Sequence, residues 1–132
     1  MIKHFSGKKL LDFYNGQEIS SKLGFFTLEY FFTIHKERNY LLLFKDNLII
    51  GQISYLKKRN DFLLLSVSIT SNHKNNGYSK LLLNEYFKLI NPNNNFLITD
   101  FSEEGEKFIA EHIFQFTEDE NISLQIVKEN EF

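Results

Sequence analysis

The chain has 132 residues and a mass of 15.7 kDa, which suits one domain over residues 1–132 with a single hydrophobic core. Its 42% hydrophobic and 24% charged residues are typical of a folded globular protein and exclude an extended disordered chain. The formal net charge of −2 gives no long-range attraction to nucleic acid or an anionic membrane, and the lack of cysteine excludes disulfides and thiolate metal sites. Because no apolar run approaches the length that spans a membrane, we expect a soluble cytoplasmic protein.

The first part of the chain predicts one strand and two helices. Residues 1–5 form a short strand, after which Ser6 can cap a helix that runs to Tyr14. Thr27 then begins a second helix, with Glu29 in its first turn, where a negative charge is favourable.

Three strands follow in the middle of the chain. Apolar runs rich in β-branched and aromatic residues predict strands over 40–44, 48–56 and 62–69. Short polar turns separate them, at 45–47 and 57–61. The three strands therefore form an antiparallel meander.

A polar loop and a helix come directly after the third of these strands. Residues 70–76 are all polar, and Gly77 then opens a helix that Pro92 brings to an end. The apolar residues of this helix recur at helical spacing, at Leu82, Leu83, Tyr86, Phe87, Leu89 and Ile90.

The last part of the chain predicts strand, helix and a closing hairpin. A strand over 96–99 must run parallel to the strand at 62–69 if the helix between them makes a standard crossover. Ser102 suits the start of another helix, which buries Phe108, Ile109 and Ile113. Two further strands, at 114–116 and 122–127, then close the sheet.

The junction of strand, loop and helix around Gly77 is suited to phosphate binding. The first N–H groups of a helix have no partner within it, and the helix dipole adds positive charge there. Gly77 permits a backbone conformation and a closeness of approach that a β-carbon would hinder, while Lys74 and Lys80 bracket the turn. The spacing matches neither a Walker loop nor the dinucleotide-binding fingerprint.

This junction resembles the signature of the GNAT superfamily of acyl-CoA-dependent N-acyltransferases, Q/R-x-x-G-x-G/A between a strand and a helix. Gly77 matches the first glycine, Lys74 stands at the Q/R position, and Ser79 stands where glycine or alanine is usual. The predicted order β-α-α-β-β-β-α-β-α-β-β is also that of the family, and Gly51 matches a glycine of its third strand. The resemblance implies an α/β (α+β) fold with a mixed, mostly antiparallel sheet flanked by helices.

The resemblance also implies acetyl-CoA as co-substrate. Backbone groups of Val67, Ser68 and Ile69 would pair with the pantetheine arm, while the side chains of Val67 and Ile69 belong to the core. The loop residues that would bind the pyrophosphate are Lys74, Asn75, Asn76, Gly77, Tyr78, Ser79 and Lys80.

The sequence offers three candidate catalytic residues. The family often supplies a tyrosine as thiolate acid in its last helix, but Ile109 occupies that position here. His112 is a candidate substitute, because histidine titrates near neutral pH and a position near the helix C-terminus would raise its pKa. Glu29 and Tyr55 are candidates for the base. The alternatives are that His112 is an ordinary surface residue, that Glu29 and Tyr55 have only structural roles, and that water transfers the protons.

Two functions remain open from the sequence. In the first, the protein moves an acetyl group directly from acetyl-CoA to the amine of a small molecule or protein. In the second, the fold is a CoA-binding or protein-interaction module with weak or no catalysis. A homodimer is one expectation for the assembly. No metal site is expected, because His4, His35, His73 and His112 lack metal-ligand spacing.

Overall fold

The computed structural model describes residues 1–14, 35–46, 48–99 and 104–132, so the helix predicted from Thr27 and its Glu29 lie outside the described residues. Six strands form one sheet in chain order. They are β1 (Ile2–Ser6), β2 (Asn39–Lys45), β3 (Leu48–Lys58), β4 (Asp61–Ile69), β5 (Asn95–Ile98) and β6 (Ser123–Ile126). The helices are α1 (Gly7–Tyr14), α2 (Tyr78–Phe87) and α3 (Glu104–Asp119), with short 3₁₀ turns at Ser71–His73 and Glu129–Glu131.

The sheet is mixed and mostly antiparallel, as predicted. Strands β1 to β4 pair in antiparallel succession, whereas β5 runs parallel to β4 and β6 runs parallel to β5. The parallel direction of β5 confirms that α2 makes a crossover connection. The cap at Ser6 is also confirmed, because the Lys9 N–H lies 3.2 Å from Ser6 Oγ.

The strand predicted at 114–116 is wrong, because these residues belong to α3. Their apolar–polar–apolar alternation is typical of a strand, but Phe116 also lies at helical spacing from the buried Ile113. The Phe116 ring stacks on Phe87 of α2, with centroids 4.0 Å apart. Since no hairpin precedes it, β6 follows a long helix and runs parallel to β5.

The main described core lies between the sheet and α2. Leu82, Leu83, Tyr86 and Phe87 are buried on one side of this helix. Burial of each such side chain contributes about 1.5–3 kcal/mol relative to exposure. Helix α3 packs beside α2 through the stacked Phe87 and Phe116 rings, so both helices cover the same face of the sheet. Among the described helices, none is long and apolar enough to cross a membrane.

Candidate functional site

Strands β4 and β5 are paired along only part of their length. The pairing begins at Asp61 with Asn95 and ends at Leu64 with Ile98, where β5 stops. Strand β4 continues to Ile69. Within the described residues, no strand pairs with the β5-facing edge of 65–69, which we call the open edge of β4.

A β-bulge marks the start of this open edge. On β3, Ser54 pairs with Ser66, but the next residue, Tyr55, pairs with Leu64. Leu65 is therefore an extra residue without a partner on β3. Because a bulge bends its strand and increases the local twist, the chain changes direction at the residue that follows the last β4–β5 pair.

The predicted main-chain residues Val67, Ser68 and Ile69 lie on this open edge. Each pairs with β3 on one side. Their backbone groups that point away from β3 face the side from which β5 has ended. The side chains of Val67 and Ile69 are half-buried and pack against the hydrophobic core, as expected for side chains that belong to it.

The loop after β4 is anchored by Thr70. Its N–H donates to the carbonyl of Ile50 at 2.8 Å, and its hydroxyl lies 2.9 Å from Nδ1 of His73. The His73 N–H donates back to the Thr70 carbonyl at 2.9 Å, which closes the 3₁₀ turn. These contacts hold the first part of the loop against the end of the sheet.

The second part of the loop turns through two left-handed residues. Asn75 has φ of 65° and Gly77 has φ of 78°, a region that glycine and asparagine enter more easily than other residues. The Asn76 amide donates to the carbonyls of His73 and Lys74, each at 3.2 Å. Apart from Gly77 and its chain neighbours, no atom of residues 1–14, 35–46, 48–99 or 104–132 lies within 4 Å of where a β-carbon on Gly77 would stand, so this part of the chain leaves the backbone there open to close approach.

Helix α2 starts immediately after Gly77 without a side-chain cap. Its first internal bond is donated by Leu81 to the carbonyl of Gly77 at 3.1 Å. In the described part of the chain, the N–H groups of Tyr78, Ser79 and Lys80 have no hydrogen bond to a protein group. They form an anion-binding arrangement of the kind found at helix N-termini.

The side chains around this turn differ in exposure. Tyr78 is half-buried against the core, and Lys45 Nζ lies 5.8 Å from the centroid of its ring. Ser79 is half-buried, whereas Lys74 and Lys80 are exposed. The fold thus brings the loop 74–80 and the open edge of β4 together, since the loop follows Ile69 within a few residues. Their role in cofactor binding remains a prediction.

His112 does not lie near the C-terminus of its helix, because α3 continues to Asp119. Its Nε2 lies 3.2 Å from Asn84 Oδ1 of α2, and its ring centroid lies 5.5 Å from that of Phe87. Burial, and then the positive charge of Lys80, lowers the pKa of His112. The predicted rise is therefore wrong, since the helix dipole acts only on the last turn.

Tyr55 lies in an aromatic cluster under α2. Its ring centroid is 5.1 Å from that of Tyr86 and 6.1 Å from that of Phe62. Burial raises the pKa of Tyr55, which keeps the phenol protonated at neutral pH. A catalytic role for Tyr55 remains a prediction.

A polar cluster on β3 and β4, which sequence analysis missed, consists of Gln52, Ser54, Ser66 and Ser68. Gln52 Nε2 donates to Ser66 Oγ at 2.9 Å and to Ser68 Oγ at 3.2 Å. The hydroxyls of Ser54 and Ser66 share a further hydrogen bond. The sequence signal was the alternation of serines in a strand beside a strand that contains Gln52, but it becomes visible only with the register of β3 and β4.

Several solved structures share this arrangement of elements. A GNAT-family acetyltransferase from Streptococcus pneumoniae matches with a TM-score of 0.55 at 15% identity, over 87% of this chain and 84% of that chain. YhhK from E. coli, assigned as an N-acetyltransferase and solved with coenzyme A, matches with a TM-score of 0.53 at 11% identity, over 88% of each chain. GCN5 from Tetrahymena matches with a TM-score of 0.51 at 14% identity over 60% of this chain, and the match spans only 52% of the GCN5 chain.

These matches show that the chain has the GNAT fold, as the resemblance in sequence implied. No family model matches the sequence, and no curated protein gives a significant sequence match. Among the described residues, no group of histidine and acidic side chains is arranged to hold a metal ion.

Proposed function

We propose that this protein is an N-acetyltransferase that moves an acetyl group from acetyl-CoA to an amine. The observation that carries the proposal is the continuity of the open edge of β4 with the uncapped N-terminus of α2. An extended polar chain can pair with the open edge of β4, and a phosphate group can bind at the N-terminus of α2. Coenzyme A contains an extended polar chain and phosphate groups, and YhhK, which shares the fold, was solved with coenzyme A.

The main chain supplies most of the proposed binding groups. The backbone of Val67 to Ile69 would pair with the pantetheine arm in the way that an added strand pairs with a sheet edge. The N–H groups at the start of α2 would hold the pyrophosphate, and the open backbone at Gly77 leaves room for it. Lys74 and Lys80 would add positive charge from the two sides of the turn.

The chemistry requires few side chains. Bound acetyl-CoA would supply an activated acetyl group as a thioester. A backbone N–H on the open edge of β4 would polarise its carbonyl, and the site would hold the amine in its neutral, nucleophilic form. The candidates for proton transfer are His112, Glu29, Tyr55 and water. If His112 is the acid, replacement by alanine should lower turnover roughly 100-fold or more.

A CoA-binding module without catalysis is the second candidate. It is favoured by the position of His112 between two helices, where its lowered pKa leaves most of it unprotonated at neutral pH. The position of Tyr55 within an aromatic cluster also favours a CoA-binding module without catalysis.

Calorimetric titration with CoA, acetyl-CoA and desulfo-CoA tests CoA binding, which both candidate functions require. We expect all three compounds to bind with similar affinity, because the proposed contacts are to the pantetheine and the phosphates. A thiol-release assay with acetyl-CoA and primary amines then separates the candidates. Release that depends on the amine supports the transferase, and binding without release supports the module. If none of the three compounds binds, the proposed function is wrong.

A further inference from the structure

The open edge of β4 has lost one of its two neighbouring strands. Strand β5 stops at Ile98, which pairs with Leu64, so within the described part of the chain residues 65–69 pair only with β3. The bulge at Leu65 also disrupts the ladder between β3 and β4 just before this stretch. A strand with one partner and a bulge at its base opens more easily than a strand that is paired on both sides. The ordered form of the open edge therefore depends on contacts other than those with β5.

The main chain of the open edge points in two alternating directions. The Thr70 N–H donates to the Ile50 carbonyl at 2.8 Å, so Ile50 and Thr70 form a hydrogen-bonded pair. Such pairs alternate along an antiparallel ladder, which makes Ser68 and Gln52 the next hydrogen-bonded pair. The N–H and carbonyl groups of Val67 then point away from β3, toward the side where β5 has ended.

The side chain of Gln52 contacts β4 on both sides of Val67. Its Nε2 donates to Ser66 Oγ at 2.9 Å and to Ser68 Oγ at 3.2 Å. These serines flank Val67, and because side chains alternate along a strand, both hydroxyls lie on the same face of β4. The Ser54 hydroxyl forms a further hydrogen bond with Ser66. One amide on β3 therefore spans two successive positions of the open edge, where β5 gives no support.

These hydrogen bonds act on the face of the sheet opposite α2. Ile53 and Val67, which are paired, pack in the core that includes the buried residues of α2. The neighbouring pair of Gln52 and Ser68 points to the other face, because side chains alternate along both strands. The open edge is thus held by apolar packing on one face and by Gln52 on the other.

Gln52 contributes little to the overall stability of the fold. Its side chain is 3% exposed, and its Oε1 is buried with no hydrogen-bond partner among the residues that the structure describes. An unpaired buried carbonyl oxygen destabilises the folded state, which offsets much of what the two hydrogen bonds of Nε2 contribute. The distinctive effect of Gln52 is therefore the local one, on the open edge of β4.

We propose that Gln52 is a positioning residue that keeps the open edge of β4 extended, so that the main-chain groups of Val67 are in place before the pantetheine arm of CoA pairs with them. This inference rests on the proposed function. Gln52 acts through Ser66 and Ser68 and does not contact the cofactor, since its side chain is buried. An edge that is already ordered does not lose conformational entropy when the cofactor binds, which strengthens binding.

Hydrogen exchange followed by NMR, without CoA, tests whether Gln52 holds the edge. Gln52→Met removes both hydrogen bonds with little change in the size of the side chain. We expect an unchanged urea midpoint, because the unpaired acceptor is removed as well. The Ser68 N–H, which faces β3, should exchange about tenfold faster. The amides of β2, which is paired on both sides, should exchange as in the unchanged protein. The matched control is Gln125→Met, on the exposed surface of β6.

A second pair of variants tests whether Gln52 acts through the serines. Ser66→Ala removes one acceptor of the Gln52 amide, whereas Ser66→Thr keeps the hydroxyl and suits a strand. We expect Ser66→Ala to speed the exchange of the Ser68 N–H and Ser66→Thr to keep the rate of the unchanged protein. Equal rates in Ser66→Ala and the unchanged protein would overturn the role of the serine contacts.

Calorimetry with CoA measures the consequence for the cofactor. The Kd for CoA should rise about fivefold in Gln52→Met, as the loss of about one net hydrogen bond implies, and should stay unchanged in Gln125→Met. With acetyl-CoA and a primary amine, Gln52→Met should raise KM for acetyl-CoA and leave kcat unchanged, because Gln52 does not contact the reacting groups.

The outcomes separate this inference from the proposed function. If the unchanged protein does not bind CoA, the proposed function is wrong, and the positioning role is wrong with it. If CoA binds but the Ser68 N–H exchanges equally in Gln52→Met and the unchanged protein, only the positioning role is wrong. Faster exchange with an unchanged Kd for CoA would also overturn it. A fall in the urea midpoint large enough to explain the faster exchange would make the role of Gln52 purely structural and overturn the inference.

Discussion

Gly51 on β3 lies directly opposite Ile69 on β4, and a β-carbon on Gly51 would stand 2.6 Å from Ile69 Cδ1. The same β-carbon would lie 3.1 Å from Leu82 Cδ1 of α2 and 3.2 Å from the carbonyl oxygen of Ser68. The absence of a side chain at Gly51 therefore lets Leu82 of α2 and Ile69 of β4 pack closely against the backbone of β3. This contact sets the position of the open edge relative to the helix that follows it.

Gly51→Ala should destabilise the protein by about 1–3 kcal/mol, as overpacking of a core does. Because the Ser68 carbonyl would also be displaced, the variant should weaken CoA binding. Urea unfolding measures the loss of stability, and calorimetry measures the affinity for CoA. An unchanged unfolding midpoint would mean that the Ile69 side chain rotates away without cost, and that Gly51 has no structural role.

Gly77→Glu should abolish detectable CoA binding, because it puts a side chain and a negative charge where the phosphates would lie. The matched control is Gly77→Asn, since asparagine tolerates the left-handed backbone and adds no charge. We expect the control to retain much more affinity. Both variants are first checked for a cooperative unfolding transition. Equal CoA affinity in a folded Gly77→Glu and the unchanged protein would show that the phosphates bind elsewhere.

Lys74→Ala should weaken CoA binding less than Gly77→Glu does. The exposed lysine is a flexible point charge, whereas the backbone at the start of α2 is fixed. The difference in Kd between Lys74→Ala and the unchanged protein should also shrink as salt is added, because exposed charges are screened. Titrations at low and high salt check this. A difference that does not depend on salt would indicate that Lys74 maintains the shape of the loop.

Tyr86→Phe should stabilise the protein by roughly 1 kcal/mol. The Tyr86 hydroxyl is buried and has no hydrogen-bond partner among the residues that the structure describes, and burial raises its pKa far above the ordinary value. Phenylalanine keeps the edge-to-face contacts with Tyr55 and Phe96 and removes the unsatisfied group. The measurement is the urea midpoint, with Tyr55→Phe as the control at a half-buried site. A loss of stability in Tyr86→Phe would show that its hydroxyl is hydrogen-bonded through internal water.

His112 should make the protein less stable as the pH falls below about 6.5. Burial and the charge of Lys80 lower the pKa of His112 in the folded state, so folding favours the neutral ring. Its contribution is fully present above the unfolded pKa and is lost as the pH falls through the lower folded pKa. The Tm of the unchanged protein should therefore decrease more between about pH 7.5 and 5 than that of His112→Gln.

His4→Gln is the control for this measurement, because His4 is exposed on β1. Its Tm should follow that of the unchanged protein across the same range. If His112→Gln lost stability with falling pH as steeply as the unchanged protein, His112 would not be the titrating group.

Most of the fold could be predicted from local patterns. The strands of the meander, the helix after Gly77 and the parallel β5 all follow from runs of apolar residues, glycine and proline. The interpretation failed at 114–116, where three residues are too few to distinguish a period of 2 from a helical period. The contact of Phe116 with Phe87 decides in favour of the helix, and this contact joins residues far apart in the chain.

The candidate site, like the fold, could be predicted only in part from local sequence. The loop 74–80 can be recognised from local sequence, because a glycine between a polar tract and an amphipathic helix is a local signal. The three-dimensional structure was needed to show that β5 ends at Ile98 while β4 continues, that Leu65 is bulged, and that α3 extends beyond His112. It also decided that Gln52 meets Ser66 and Ser68. Register, bulges and helix ends depend on the partners that each backbone and side chain meets in space, and no local pattern specifies those partners.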